Sequence, residues 1–310
     1  MRRGLGWVAL VLGFALIAFA PLQRFYAADR LVGLPRDTYQ KSTLVASQAS
    51  YLDTRTGELR NGADLVATST TRADARASTG KITVLDSFTV VEDPANGTRL
   101  DVQAQRAALD RKTSELTNCC GAAVGGDTGV RQSGLAVSWP IGDVRKKTYD
   151  FFDLSTKRTW PMRFDTVERI QGIDAYKFVM HVGPTPVSEL PGFPGKPLGL
   201  DATKTFTVDR VYESQVTTWV DPRTGSPINR EQQVTTMLRT KDGAAAMIAA
   251  SFTLKMTPDS RRRLAKDSGE SALLISAIRT IIPLGALVTG AALLLGGLVL
   301  LRRPRGRRAA

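Results

Sequence analysis

The chain has 310 residues, 43% of them apolar and 23% charged, with 42 Lys and Arg against 29 Asp and Glu. That balance excludes a disordered chain, which would be poorer in apolar residues. Two Cys and one His exclude a disulfide-dense scaffold and a zinc site of the usual Cys/His type.

The formal charge of +13 resembles that of a nucleic-acid-binding protein until it is sorted by position. Arg2 and Arg3 precede one apolar run, and Arg302, Arg303, Arg305, Arg307 and Arg308 follow another. Removing these seven leaves +6 for the rest of the chain.

Gly4–Leu22 and Ile281–Leu301 are free of charged residues over 19 and 21 positions. Each matches the roughly 20 residues a helix needs to cross about 30 Å of hydrocarbon. Both have Arg on one side, and cytoplasmic flanks are rich in Lys and Arg. The sequence therefore predicts a hairpin with both termini cytoplasmic and the intervening segment extracytoplasmic. Cleavage after Ala18-Phe19-Ala20 would leave Pro21 as the first mature residue, so an uncleaved signal anchor is expected. In the second span, Ala286-x-x-x-Gly290 and Ala292-x-x-x-Gly296 have the spacing that lets helices approach closely. Pro283 is expected in the first turn of that span, where Pro is tolerated.

Between the spans the pattern reads as strands. Lys81–Val91 is rich in β-branched residues and leads to the turn signal Asn96-Gly97, with Arg99–Ala104 returning. Arg163–Ile170 and Ala175–Val182 flank Gln171–Asp174. Thr205–Val220 and Ile228–Thr240 flank Asp221–Gly225, and Ala249–Met256 follows. Tyr51-Leu52-Asp53-Thr54-Arg55-Thr56-Gly57 echoes Trp219-Val220-Asp221-Pro222-Arg223-Thr224-Gly225, as expected of convergent turn chemistry. Gly183–Gly199 holds five Pro and four Gly and predicts an exposed loop. Asp259–Ile278 reads as a juxtamembrane helix.

The expected fold is a mainly β (α+β) extracytoplasmic domain of antiparallel sheets between two transmembrane α-helices. Its organisation is a cytoplasmic N-terminus at 1–3, a transmembrane helix at 4–22, a β-rich domain at 23–258, a juxtamembrane helix at 259–280, a second transmembrane helix at 281–301 and a basic cytoplasmic tail at 302–310.

Cys119 and Cys120 are adjacent, and no third Cys exists to pair with either. Outside the membrane thiols tend to be oxidised, so a vicinal disulfide is expected, with intermolecular bonding and free thiols as the alternatives. His181 ends an apolar strand and is expected to be a satisfied core or edge residue. Asp150, Asp153, Asp165, Glu168 and Asp174 do not single out an acidic pair, and no G-x-S-x-G occurs. No catalytic residue, metal or cofactor is expected. Arg145, Lys146 and Lys147 lie near Tyr149 and Trp160. A basic rim beside aromatics suits a phospholipid or phosphorylated glycolipid, so these five are the candidate ligand-binding residues. The bland alternative is a strand with a solvated face. The compartment disfavours nucleic acid, and none is expected as a partner.

Ser138-Trp139-Pro140-Ile141-Gly142, Lys146-Lys147-Thr148-Tyr149, Phe152-Asp153, Gln171–Phe178 and Trp219–Gly225 resemble the actinobacterial two-span envelope proteins labelled porin PorA-like. The resemblance covers nearly the whole chain. It implies a place in the cell envelope and a link to lipoglycan assembly, and it carries no catalytic residues. The two-span layout is also similar to the CD36-like lipid receptors by architectural analogy. The expected function is therefore a non-enzymatic binding or accessory role at the cytoplasmic membrane, handling a lipid or lipid-linked glycan. The alternative is a ligand-free scaffold for a membrane enzyme partner. Pore formation is disfavoured, because an outer-membrane barrel needs an apolar outer face and no helical stop.

Overall fold

A computed structural model describes residues 2–53 and 55–302. Met1, Thr54 and the expected basic tail beyond Arg302 lie outside the described residues. The chain divides into two compact units, Leu34–Ser268 and the two ends Met1–Gly33 with Gly269–Ala310.

The unit formed by the ends is helical. Helix α1 (Arg2–Leu22) runs through a π turn at Gln23–Ala27 into α2 (Ala28–Leu31). Helix α3 (Pro258–Ser276) runs through a second π turn at Ala277–Ile281 into α4 (Ile282–Arg302). Both rods are long and apolar enough to cross a membrane. They pack through glycines. A Cβ on Gly13 would lie 2.8 Å from the Gly290 carbonyl, and one on Gly290 would lie 2.9 Å from the Gly13 carbonyl. Gly297 meets the Gly6 carbonyl in the same way, at 2.9 Å. The packing positions are thus Gly290 and Gly297, seven apart, and a Cβ on Gly296 would meet open space.

Pro283 is the second residue of α4, as expected of a first-turn Pro, but the π turn before it makes α3 and α4 one continuous rod. Pro283 has no N–H to give the carbonyl of Arg279, four residues earlier. The chain makes its π turn at that place, and Arg24 Nη1 donates to the Arg279 carbonyl at 2.7 Å. Pro21 likewise lies just before the π turn that follows α1.

The unit Leu34–Ser268 is built on one curled antiparallel sheet. Its strands are β1 (Tyr39–Asp53), β2 (Glu58–Ala73), β3 (Ile82–Asp93), β4 (Thr98–Asp110), β5 (Leu116–Thr117), β6 (Ala123–Val124), β7 (Tyr149–Asp153), β8 (Arg158–Ile170), β9 (Ile173–Pro194), β10 (Thr205–Val220), β11 (Pro227–Thr240) and β12 (Ala246–Met256). Eleven strands run in the order β5-β4-β3-β2-β1-β12-β11-β10-β9-β8-β7, and β6 pairs with β4. Pairing of β1 with β12 joins two meanders into one sheet. The two far edges are bridged by the segment around Gly134. Leu116 N donates to the Gly134 carbonyl, Leu135 N to the Asp150 carbonyl and Phe152 N to the Leu135 carbonyl, at 2.7–2.8 Å. Gly134 has φ +75°, and a Cβ there would collide with the Asp150 carbonyl. Only glycine lets the edges meet so closely.

The hairpins expected at β3–β4, β8–β9 and β10–β11 are present. The loop expected at Gly183–Gly199 is not a loop over most of its length: residues 183–194 continue β9 and pair with β10. Strand β8 covers β9 only as far as the Met162–Met180 pair, so the rest of β9 has a free edge. Pro is tolerated on an edge, where its missing N–H costs no ladder bond. His181 sits on β9 as an exposed residue opposite Gln215, not at the end of a strand.

The first half of α3 belongs to the sheet unit. Leu264 joins the apolar cluster of Leu44, Leu65, Val91, Leu254 and Met256. Ser260 Oγ accepts from Thr43 N at 3.0 Å, and Ser268 Oγ donates to Asp221 at 2.9 Å. This segment therefore packs against the sheet.

Candidate functional site: a polar belt inside the sheet

Cross-strand register assigns the inner face row by row, because residues directly opposite in a ladder share a face. Ala73–Leu85–Ala107 forms an apolar row. Gln40–Thr71–Ser87–Gln105 and Ser42–Ser69–Thr89–Gln103 follow. The next row, Leu44–Ala67–Val91, is apolar and ends at Asp101. Two rows of hydroxyls and amides thus lie between two apolar rows. Thr71 and Ser87 hydroxyls are 3.0 Å apart, and Thr89 donates to Ser69 at 2.9 Å. Gln103 Nε2 donates to Asp101 at 2.8 Å and to Ser155 at 3.0 Å.

Strands β10 and β11 bring Arg230, Gln232, Tyr212, Ser214 and Arg210 to the same inner face. Gln232 Nε2 donates to the Tyr212 hydroxyl at 3.1 Å, and Ser155 also hydrogen-bonds that hydroxyl. Asp153 ends β7, is buried, and uses Oδ1 to accept from Thr156 N and Oγ1, both at 2.8 Å. Burial raises the carboxyls of Asp153 and Asp101 above the usual carboxylate range and raises the Tyr212 phenol. Burial lowers the Arg230 guanidinium, although its side chain keeps partial access to solvent. The rest of the interior is apolar, including Trp139, Phe151, Phe178, Met162 and Met180.

The residues singled out in the sequence lie elsewhere. Arg145, Lys146 and Lys147 are exposed. Arg145 pairs with Asp143 at 3.0 Å, and its backbone N donates to the Tyr149 hydroxyl at 2.9 Å. Lys147 stands 5.0 Å from the centre of the Tyr149 ring, and Lys146 stands 5.3 Å from that of Tyr176. Tyr149 itself is buried in the core. Trp160 packs on that core, with Nε1 donating to Thr156 at 3.0 Å. The basic residues and Tyr149 are brought together, and Trp160 is not part of their surface. Cys119 and Cys120 are joined by a vicinal disulfide. An open recess of about 480 Å³ lies at Arg60, Asp64 and Asp93, near the β3–β4 turn. Among the described residues, no group of three or more His, Cys, Asp or Glu is placed to hold a metal.

The architecture is that of a membrane-associated β protein carrying two candidate transmembrane helices. A family model described as porin PorA matches residues 5–299, both helices included, and the chain belongs to that family. No curated protein matches it.

Proposed function

We propose that this chain is a non-enzymatic binding protein of the cell envelope, anchored in the cytoplasmic membrane by both ends, that handles a lipid or lipid-linked glycan. One observation carries the reading. The inner face of the sheet alternates apolar rows with a belt of hydroxyls, amides and charges. A ligand with an apolar part and a hydroxyl-rich part matches such a face, and few polar groups set among apolar ones are the usual make-up of a ligand site. Tethering at both ends keeps the sheet close to the bilayer that holds such ligands. The test is to purify the full chain in mild detergent, denature it and analyse the released lipids by mass spectrometry. Envelope lipid or lipoglycan well above a detergent control is expected. A clean apo protein overturns the reading.

The family description favours a second reading, pore formation. The outward face of the sheet speaks against embedding it in lipid. Arg72, Glu213, Gln215, Gln233, Arg239 and Lys255 are all exposed there. A Lys or Arg facing the bilayer midplane costs about 2–4 kcal/mol.

A further inference from the structure

We infer that the inner face of the sheet binds a phosphate oxyanion at Arg230, with Gln232, itself held by Tyr212, placing the guanidinium. The inference deepens the proposed function, and rests on it only for the source of the phosphate.

Arg230 lies on β11 two residues from Gln232, across the ladder from Thr218. Protein encloses its guanidinium enough for desolvation to disfavour the charge. A guanidinium has five N–H donors and cannot shed its proton in a protein. Among the described residues, its one hydrogen bond runs from Nη2 to Gln232 Oε1 at 3.3 Å. No carboxylate comes within 4.0 Å of it; other buried or half-buried ion pairs in the sheet, such as Arg106–Asp74 at 2.7 Å and Arg223–Asp221 at 2.7 Å, are closed. Asp153 acts on Arg230 through space only, and its Oδ1 is held by Thr156. A desolvated cation with most of its donors unused is costly unless an anion meets it.

The neighbours supply direction. Gln232 Oε1 accepts from Arg230, while Gln232 Nε2 donates to the Tyr212 and Ser214 oxygens at 3.1 and 3.4 Å. Tyr212 accepts from Gln232 and also hydrogen-bonds Ser155 and Ser214, so it holds the Gln232 amide in place. Ser214 donates to the Gln233 carbonyl at 2.8 Å and has no proton left. The donors on this face are the guanidinium N–H groups that Gln232 leaves free. A phosphate can take two of these N–H groups at once, as guanidinium–phosphate pairs commonly do. Arg230 and Gln232 keep partial access to solvent.

Two sources share this chemistry, free phosphate and the phosphate of a lipid headgroup. The experiment uses the full chain in detergent and measures the shift in Tm and the apparent Kd. The probes are inorganic phosphate and a short-chain phosphatidylglycerol below its micelle concentration. Wild type is expected to be stabilised by at least one probe. A shift with inorganic phosphate shows that the free ion suffices, and a shift with the lipid alone assigns the headgroup. Arg230→Gln is expected to weaken binding about tenfold or more, the size of a lost charged hydrogen bond. It should not lower Tm without phosphate, because it removes an unmet buried charge. Tyr212→Phe should weaken binding severalfold and serves if Arg230→Gln fails to fold. Arg239→Gln, on the outer face, should bind like wild type. No shift with either probe, or equal shifts in wild type, Arg230→Gln and Tyr212→Phe, overturns the inference. Lipid retained equally by wild type and Arg230→Gln would leave the proposed function standing while this site fails. A phosphate shift from a chain that retains no lipid would do the reverse.

Discussion

Asp53 ends β1, Asp221 directly follows β10, and both hold the same turn by the same means. Arg55 N donates to Asp53 Oδ1 at 2.9 Å and Arg223 N to Asp221 Oδ1 at 3.0 Å, while each guanidinium returns to the carboxylate. Gly57 and Gly225 close the turns at φ +74° and +75°. The surroundings differ. Asp221 is fully buried and also accepts from Ser268 of α3, and a Cβ on Gly225 would collide with the Trp139 carbonyl. A Cβ on Gly57 would meet nothing within 4 Å. Gly57→Ala is therefore expected to cost only the left-handed backbone strain, about 1–2 kcal/mol. Gly225→Ala should cost that and about 1–3 kcal/mol more for overpacking, read by denaturant unfolding with Trp fluorescence. The same carboxylate sets an acid limit. Burial would raise Asp221, but the hydrogen bonds from Arg223 and Ser268 outweigh it and hold the carboxyl below its ordinary range. A depressed native value means that the stabilisation is complete above the unfolded pKa, about 3.9, and is lost as pH falls through the lower native value. Asp221→Asn should lower stability at neutral pH and remove this part of the acid dependence. Asp153 has the opposite sign: its raised native value makes the ionised form a cost that acidification relieves.

The helix pair tests how closely two backbones must approach. Gly290 and Gly297 each press on a carbonyl of α1, whereas Gly285 and Gly296 face open space. Gly297→Leu is expected to loosen the pair and lower the detergent midpoint of helix unfolding, while Gly296→Leu, one position away, should leave it unchanged. Circular dichroism during SDS titration reads both. The sequence carried small-residue spacing but not its phase, since Gly, Ala and Thr occupy several faces of α4. Strand legibility followed side-chain size in the same way. β10 and β11 are rich in Val, Thr, Tyr and Trp, and their limits were readable almost to the residue. β1 and β2 were not, because their inner face carries Ser42, Ser69, Thr71 and Ala73 where a period-2 reading looks for large apolar groups. Ser42, Ser69 and Thr71 build part of the hydroxyl belt, so the segment that hid its strands also hid part of the candidate site. Arg230 and Gln232 were equally silent, since nothing local distinguishes an inner Arg on a strand from an outer one until register is known. The Pro-rich end of β9 misled for a third reason: local composition does not show that a strand has lost one neighbour.

For the whole molecule the question is which part meets lipid. Two rods carry exposed apolar side chains along most of their turns, among them Leu5, Val8, Val11, Leu12, Phe14, Leu284, Val288 and Leu295. Trp7 and Tyr26 are exposed near the two ends of the first rod, and aromatic side chains of this kind favour the membrane interfaces. They are 19 residues apart, which at about 1.5 Å per residue is close to one hydrocarbon thickness. The outer face of the sheet has the contrary chemistry, with charges on β2, β10, β11 and β12. Each Arg or Lys moved to the bilayer midplane would cost about 2–4 kcal/mol, so a handful of them outweighs the apolar outward residues Val45, Phe88 and Val102. Lipid is thus expected to surround the helices, with the sheet in water. Reporter fusions at Met1 and Ala310 should both report cytoplasm, and a protease added outside should reach the β11–β12 turn at 241–245. In planar bilayers the purified chain should give no steady conductance, because two packed helices whose glycines touch leave no channel between them. Stable, ion-selective steps abolished by charge reversal at Arg230 would place the sheet's interior on a permeation path and make the polar belt a pore lining.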